Sequence, residues 1–95
     1  MFVTPRIYIA RRDESPFFEC NAPVDAGEVR WARMGRELPV TARVSGTRLT
    51  FTFVREIDEG VYVCYVSGNL QGNLNGGQLI IASSEIHSLY SALMK

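Results

Sequence analysis

Short segments in which apolar and polar residues alternate, each closed by a turn, run along about the first eighty residues. An alternation with a period of two places successive side chains on opposite faces of a β-strand. The clearest case is 48–54, where Leu49, Phe51 and Phe53 alternate with Arg48 and two threonines. We therefore expect an all-β protein with about seven or eight short strands, packed as a two-sheet sandwich or a barrel.

Size and charge narrow the functional classes. The chain has 95 residues, which suits one small domain with a thin core. Its formal net charge of zero provides no overall attraction to nucleic acid or to an anionic membrane. No segment approaches the roughly 20 consecutive apolar residues that a membrane-spanning helix needs. We therefore expect neither nucleic-acid binding nor membrane insertion.

Two cysteines, Cys20 and Cys64, permit one disulfide but do not require it. Trp31 follows Cys20 by eleven residues, and Cys64 follows Cys20 by forty-four. Between them runs the frame Leu49-x-Phe51-x-x-Val54-x-x-x-Asp58-x-Gly60-x-Tyr62-x-Cys64. This combination resembles the immunoglobulin fold, and the segments 14–20 and 29–38 resemble the corresponding strands of its I-set branch.

The resemblance implies a two-sheet antiparallel sandwich over residues 1–83, with a disulfide between Cys20 and Cys64 that packs against a buried tryptophan. It also implies a corner, just before the second cysteine, that a tyrosine hydroxyl closes. The positions it assigns to the structural core are Trp31, Leu49, Phe51, Asp58, Gly60 and Tyr62. The alternative state of the two cysteines is a pair of buried free thiols, as in the I-set domains of cytosolic muscle proteins.

Within this family, 35–53 is most similar to the immunoglobulin repeats of perlecan-type basement-membrane proteoglycans, through Leu38-Pro39 and the short turn Ser45-Gly46-Thr47. This similarity implies an extracellular module of a multidomain matrix or cell-adhesion protein, which acts by noncovalent protein recognition or as a structural spacer. One alternative is an intracellular spacer of the muscle-filament type. The other is an immune-type receptor domain that binds ligands through its end loops.

Two segments are not explained by the family pattern. The stretch 68–77 holds four glycines and three asparagines, which predicts a mobile hairpin loop before a last strand over 78–82. The tail 84–95 carries apolar residues at helical spacing, which predicts a short helix. The alternative is that this tail is not native to the parent protein. Those apolar residues are Ile86, Leu89, Tyr90, Leu93 and Met94.

One sheet face is a candidate contact surface. If Trp31 and Cys64 point inward, their neighbours in the two strands point to the outside of the sheet. These neighbours are Ala32, Met34, Val63 and Tyr65. An apolar patch of this kind favours a protein partner, a neighbouring domain or a homodimer through this face or the tail. The alternative interpretation is a set of scattered surface apolar residues, which all proteins have.

Arginines supply a second candidate surface. Arg11, Arg12, Arg30 and Arg36 are candidates for a patch that binds sulfate groups of a heparin-like glycan. The alternative is ordinary ion pairing with surface carboxylates. Strict alternation also turns Arg33 inward beside Trp31, so we expect the strand to end there or the guanidinium to reach water.

The sequence indicates no catalytic centre, metal site or cofactor. The single histidine, His87, lies in the tail, away from any cysteine or carboxylate cluster. A nucleophile needs a positioned base, and no such pair is evident. Glu56, Asp58 and Glu59 do cluster, but a solvated corner with a structural Asp58 explains them. We therefore expect a non-enzymatic module.

Overall fold

The computed structural model describes residues 1–66 and 75–82 and shows a sandwich of two four-stranded sheets. The strands are β1 (Phe2–Thr4), β2 (Ile7–Arg11), β3 (Phe17–Asn21), β4 (Val29–Arg33), β5 (Ala42–Ser45), β6 (Arg48–Phe51), β7 (Gly60–Val66) and β8 (Asn75–Ala82). One turn of 3-10 helix, Glu56–Asp58, precedes β7. The predicted tail helix and most of the predicted glycine-rich loop lie outside the described residues.

The N-terminal segment contributes one strand to each sheet: β1 belongs to the first sheet and β2 to the second. The first sheet has the order β1-β3-β6-β5, and all its pairs are antiparallel. The second has the order β2-β8-β7-β4, and in it β2 runs parallel to β8. The chain crosses between the sheets at Pro5, after a cis Thr4–Pro5 peptide bond. The predicted two-sheet antiparallel sandwich is confirmed, and β2 adds one parallel pair to it because it joins the second sheet along β8.

A disulfide joins the two sheets through the centre of the core. Cys20 in β3 and Cys64 in β7 are bonded, with their Cα atoms 6.2 Å apart. Trp31 lies opposite Cys64 in β4 and is buried. Closing a loop of roughly 45 residues lowers the entropy of the unfolded chain, which corresponds to about 4 kcal/mol of stability. This is a large contribution for a domain with so small a core.

Aromatic rings fill the core beside the disulfide. Phe18, Phe51 and Tyr62 are fully buried, and their ring centroids lie 4.9 to 6.2 Å apart. Leu49 is buried beside them from the same strand as Phe51. Edge-to-face and offset contacts at these distances are favourable for aromatic pairs.

The alternation in β6 stops earlier than the pattern predicts. The strand ends at Phe51, and Phe53 has a positive φ of 54° and a side chain that is 68% exposed. Val54 occupies the core position instead. Its backbone N–H donates to the Glu14 carbonyl at 3.0 Å, and its carbonyl accepts from the Asp13 N–H at 2.8 Å. Pairing with this turn shifts the buried position by one residue, so Phe53 does not continue the inward face of Leu49 and Phe51.

The last strand begins earlier than predicted and includes Gly76 and Gly77. Gly77 lies opposite Tyr62 in the sheet. A Cβ atom at Gly77 would lie 2.5 Å from Cε1 of Phe18 and 3.0 Å from the Pro5 carbonyl oxygen. The missing side chain at Gly77 therefore provides the space that the Phe18 ring occupies.

We expect Gly77→Ala to lower the free energy of unfolding by about 2 to 3 kcal/mol or more, because the new methyl group overlaps the Phe18 ring. Gly76→Ala is the matched control, since its Cβ would meet only valine methyl groups at 3.2 and 3.3 Å and a backbone oxygen at 3.4 Å. Urea unfolding of the oxidised protein measures both. Equal losses in the two variants would contradict this account of Gly77.

Candidate functional site

The outer face of the second sheet carries a row of side chains from β2, β8 and β7 and from the residue that follows β4. Ile7 pairs with Gln78, and Gln78 pairs with Val61. Met34 completes the row, since its N–H donates to the Val61 carbonyl at 2.9 Å. Three of these four side chains are apolar, so the row contributes to an apolar sheet face.

Exposure along this face is uneven. Met34 is 57% exposed, whereas Ala32 and Tyr65 are half-buried. Val63 is only 7% exposed, although it alternates with the inward-facing Tyr62 and Cys64. The predicted open patch at Ala32, Met34, Val63 and Tyr65 is therefore accessible mainly at Met34, and Val63 is not free to contact a partner.

The structure adds two isoleucines to this face that the sequence analysis did not assign to it. Ile7 and Ile9 are 55% and 64% exposed, while Tyr8 and Ala10 between and after them face the core. Tyr8 packs edge-to-face against Phe17 and Phe18, with ring centroids 6.2 and 6.5 Å apart. The sequence does show that Ile7 and Ile9 share one face of β2. Only the packing of Tyr8 shows that the opposite face of the strand points to the core.

The four candidate arginines do not form one patch. Arg30 lies opposite Tyr65, near the end of β7. Arg11 lies opposite Ala82, which is three residues beyond Leu79, the partner of Gly60 at the start of β7. Eight residues along a strand separate these levels by about 26 Å. Arg30 lies 3.4 Å from the Glu28 carboxylate, and Arg12 lies 4.0 Å from that of Glu56. The fold therefore does not gather the four arginines at one place, and binding of a heparin-like glycan stays a prediction.

β4 ends at Arg33, in line with the first of the two expectations, but the side chain still points inward and its guanidinium does not reach water. Its Nη2 atom donates to the Ile57 carbonyl at 2.7 Å and to the Glu59 carbonyl at 2.6 Å. The guanidinium carbon lies 5.5 Å from the centre of the Tyr62 ring. These contacts satisfy a cation that is only 9% exposed.

The corner before β7 is built around this guanidinium. The Tyr62 hydroxyl donates to the Asp58 carbonyl at 2.6 Å, and the Asp58 carboxylate accepts from the Arg55 N–H at 3.0 Å. A Cβ atom at Gly60 would lie 3.1 Å from Arg33 Nε. Gly60 therefore serves the close approach of Arg33, in addition to its place in the corner.

No helix in the described part of the chain is long and apolar enough to cross a membrane. Within residues 1–66 and 75–82, no group of three or more histidine, cysteine or carboxylate side chains converges as a metal site would require.

Comparisons with known proteins agree with this architecture. The chain is 45% identical, over 51 residues, to a basement membrane proteoglycan of Caenorhabditis elegans. The match covers 50% of this chain and 2% of the proteoglycan, so the chain spans a very small part of that relative. No protein-family model matches.

Solved structures show the same fold. The ectodomain of mouse nectin-like molecule 4 superposes with a TM-score of 0.61 at 18% identity, over 86% of this chain and 28% of that one. A chimeric titin Z1Z2 tandem that carries a fibronectin peptide gives 0.65 at 16% identity, over 79% and 45%. A second titin Z1Z2 chimera, with a decorin peptide, gives 0.64 at 19% identity, over 81% and 86%. The fold is an immunoglobulin-like sandwich.

We expect Arg33→Met to lower the free energy of unfolding by about 3 kcal/mol, because two charge-assisted hydrogen bonds to the corner are lost. Arg43→Met, at an exposed position of β5, is the matched control and should stay within about 0.5 kcal/mol of the wild type. Chemical denaturation measures both. A loss at Arg33 no larger than that at Arg43 would show that the buried guanidinium does not stabilise the corner.

Burial raises the pKa of Tyr62 from 10.0 to about 12, against an opposing effect of the nearby Arg33 charge. As the pH rises, the tyrosine loses its proton in the unfolded chain before it does so in the folded one. The contribution of Tyr62 to the free energy of unfolding is therefore fully present below about pH 10 and is lost between about pH 10 and 12. Tyr62→Phe should flatten this decline, as measured by urea unfolding across the alkaline range. An equally steep decline in the variant would assign the alkaline sensitivity to other groups.

Proposed function

We propose that this immunoglobulin-like domain is an extracellular, non-enzymatic module of a multidomain matrix or cell-adhesion protein. It acts by noncovalent contact with proteins or neighbouring domains, or as a spacer between them. The disulfide between Cys20 and Cys64 is the observation that carries this proposal, because such bonds persist mainly in oxidising compartments. The 45% identity to a basement membrane proteoglycan supports the same compartment.

The outer face of the second sheet supports a role in protein contact. Ile7, Ile9 and Met34 expose more than half of their side chains on one side of the sheet. Exposed apolar residues that share a face are typical of protein interaction surfaces. The half-buried Ile80, which pairs with Ile9, extends the apolar surface between them.

The carboxylate cluster at the corner supports a structural role rather than a catalytic one. Asp58 accepts a hydrogen bond from the backbone of Arg55. The Glu59 carboxylate accepts from the Ile81 N–H at 2.7 Å. Each of these groups is thus engaged in holding the corner against its neighbours, whereas a general acid or base must be available to a substrate.

Thiol trapping tests the proposed compartment. Cells or tissue that make the protein are treated with a membrane-permeant alkylating agent before lysis. The mass of the intact chain is then measured by mass spectrometry with and without reduction. We expect no alkylation before reduction and a mass that increases by about 2 Da on reduction, for one disulfide. Alkylation of both cysteines without reduction would contradict the extracellular proposal and favour an intracellular spacer.

Sedimentation equilibrium over a concentration series tests the apolar face as a self-contact. If two copies associate through it, the average mass should rise with concentration, and Ile9→Asp should abolish the rise because a charge would be buried in the contact. Val44→Asp is the matched control, since Val44 is also exposed but lies in the first sheet. A wild type that stays monomeric throughout would contradict homodimerisation by this face.

A further inference from the structure

A groove of about 620 Å³ lies between the β4–β5 connection and the corner that precedes β7. Its walls include Arg33, Arg36, Val40, Arg55, Ile57 and Asp58. None of the surfaces predicted from the sequence corresponds to this groove, although Arg36 belongs to one of them.

The groove gathers positive charge that the domain itself does not pair. Its three arginines come from three segments, and none of them forms an ion pair with a carboxylate within the described residues. Arg33 is held by two neutral backbone carbonyls, so its charge is not cancelled. Elsewhere Arg12, Arg30 and Arg48 each lie within 4.0 Å of a glutamate.

Two carboxylates also border the groove, and they reduce the positive charge without removing it. Asp58 is almost fully buried and is occupied by the Arg55 N–H at 3.0 Å. Glu37 is exposed. Three guanidinium groups against two carboxylates leave the lining with a net charge of +1, and favour an anionic group at the arginines.

Thr41 contributes an unpartnered hydroxyl group beside the arginines. Thr41 is one of the residues that line the groove, and its hydroxyl oxygen is buried and has no hydrogen-bond partner among the residues that the structure describes. The backbone of Thr41 is satisfied, since its carbonyl accepts from the Thr52 N–H at 3.0 Å. Buried hydroxyl groups are generally hydrogen-bonded, and rotation of the half-buried Thr41 side chain toward a ligand oxygen in the groove would satisfy this one.

The apolar parts of the wall select among anionic ligands. Val40 is 98% exposed and Ile57 is 64% exposed, so two large apolar side chains stand open beside the arginines. A sulfated glycan offers little apolar surface for them to cover. A peptide with an acidic residue next to an apolar one matches both parts of the lining, and arginine holds carboxylates well by bidentate hydrogen bonds.

We propose that the groove binds an acidic side chain of a protein partner, with the apolar residue beside it packed on Val40 and Ile57. Arg36 and Arg55 hold the carboxylate, and the Thr41 hydroxyl donates a hydrogen bond to it. This inference deepens, and rests on, the proposed function of the domain in protein recognition. It assigns that recognition to the corner of the sandwich, separately from the apolar sheet face.

Titration of the isotope-labelled full chain with a blocked pentapeptide, Gly-Leu-Glu-Leu-Gly, tests the proposal by NMR. We expect saturable shifts of the arginine Nε–H signals of Arg36 and Arg55, and binding at least tenfold weaker when glutamine replaces the glutamate of the peptide. The double variant Arg36→Gln/Arg55→Gln should also lose at least tenfold. Both positions are exposed, so the variant should stay folded, which its unfolding curve verifies.

Arg6→Gln/Arg43→Gln is the matched control, because it removes two exposed arginines outside the groove lining and should leave peptide binding unchanged. Equal binding of the glutamine peptide, or full binding by the groove variant, would overturn the proposal. So would tighter binding of a sulfated heparin disaccharide in the same groove, which would change the ligand class. Thiol trapping that contradicts an extracellular role would leave these binding results unaffected, so the two failures are distinguishable.

Discussion

The bond between Cys20 and Cys64 is the constraint on which the sandwich depends, because it ties together two sheets that share no backbone hydrogen bonds through these strands. A domain of this size buries a modest core, so a covalent link between the sheets contributes a large part of its stability. The rings of Phe18, Phe51 and Tyr62 fill the core between the two sheets beside this bond. The absence of a side chain at Gly77 follows from that filling, since Phe18 occupies the space.

The buried guanidinium of Arg33 connects this core to the surface where we propose recognition. Carbonyl oxygens of Ile57 and Glu59 accept hydrogen bonds from its Nη2 atom but do not neutralise its charge. The same contact that holds the corner therefore contributes to the positive character of the neighbouring groove. Arg33 therefore takes part both in holding the corner and in the charge of the groove where we propose recognition.

The sequence predicted the architecture better than it predicted the surfaces. The frame from Leu49 to Cys64 indicated the sandwich, the disulfide and the corner, because those features depend on residues close in the chain or on a strong family pattern. It did not indicate that Ile7 and Ile9 face outward, nor that Arg36 and Arg55 meet in a groove. These arrangements depend on which strands become neighbours, and the pairing of β2 with β8 joins residues about seventy positions apart.

By itself, the sequence determined that the chain forms short strands and which side chains are candidates for a core. Alternation defines two faces for each strand, but it does not state which face is inward when both carry apolar residues. The tertiary structure decided that, since the larger Tyr8 packs against Phe17 and Phe18 while the isoleucines beside it remain outside. It likewise decided that Phe53 is exposed, because the backbone of Val54 pairs with Asp13 and Glu14, and that Arg33 can be buried, because two carbonyl oxygens accept hydrogen bonds from its guanidinium.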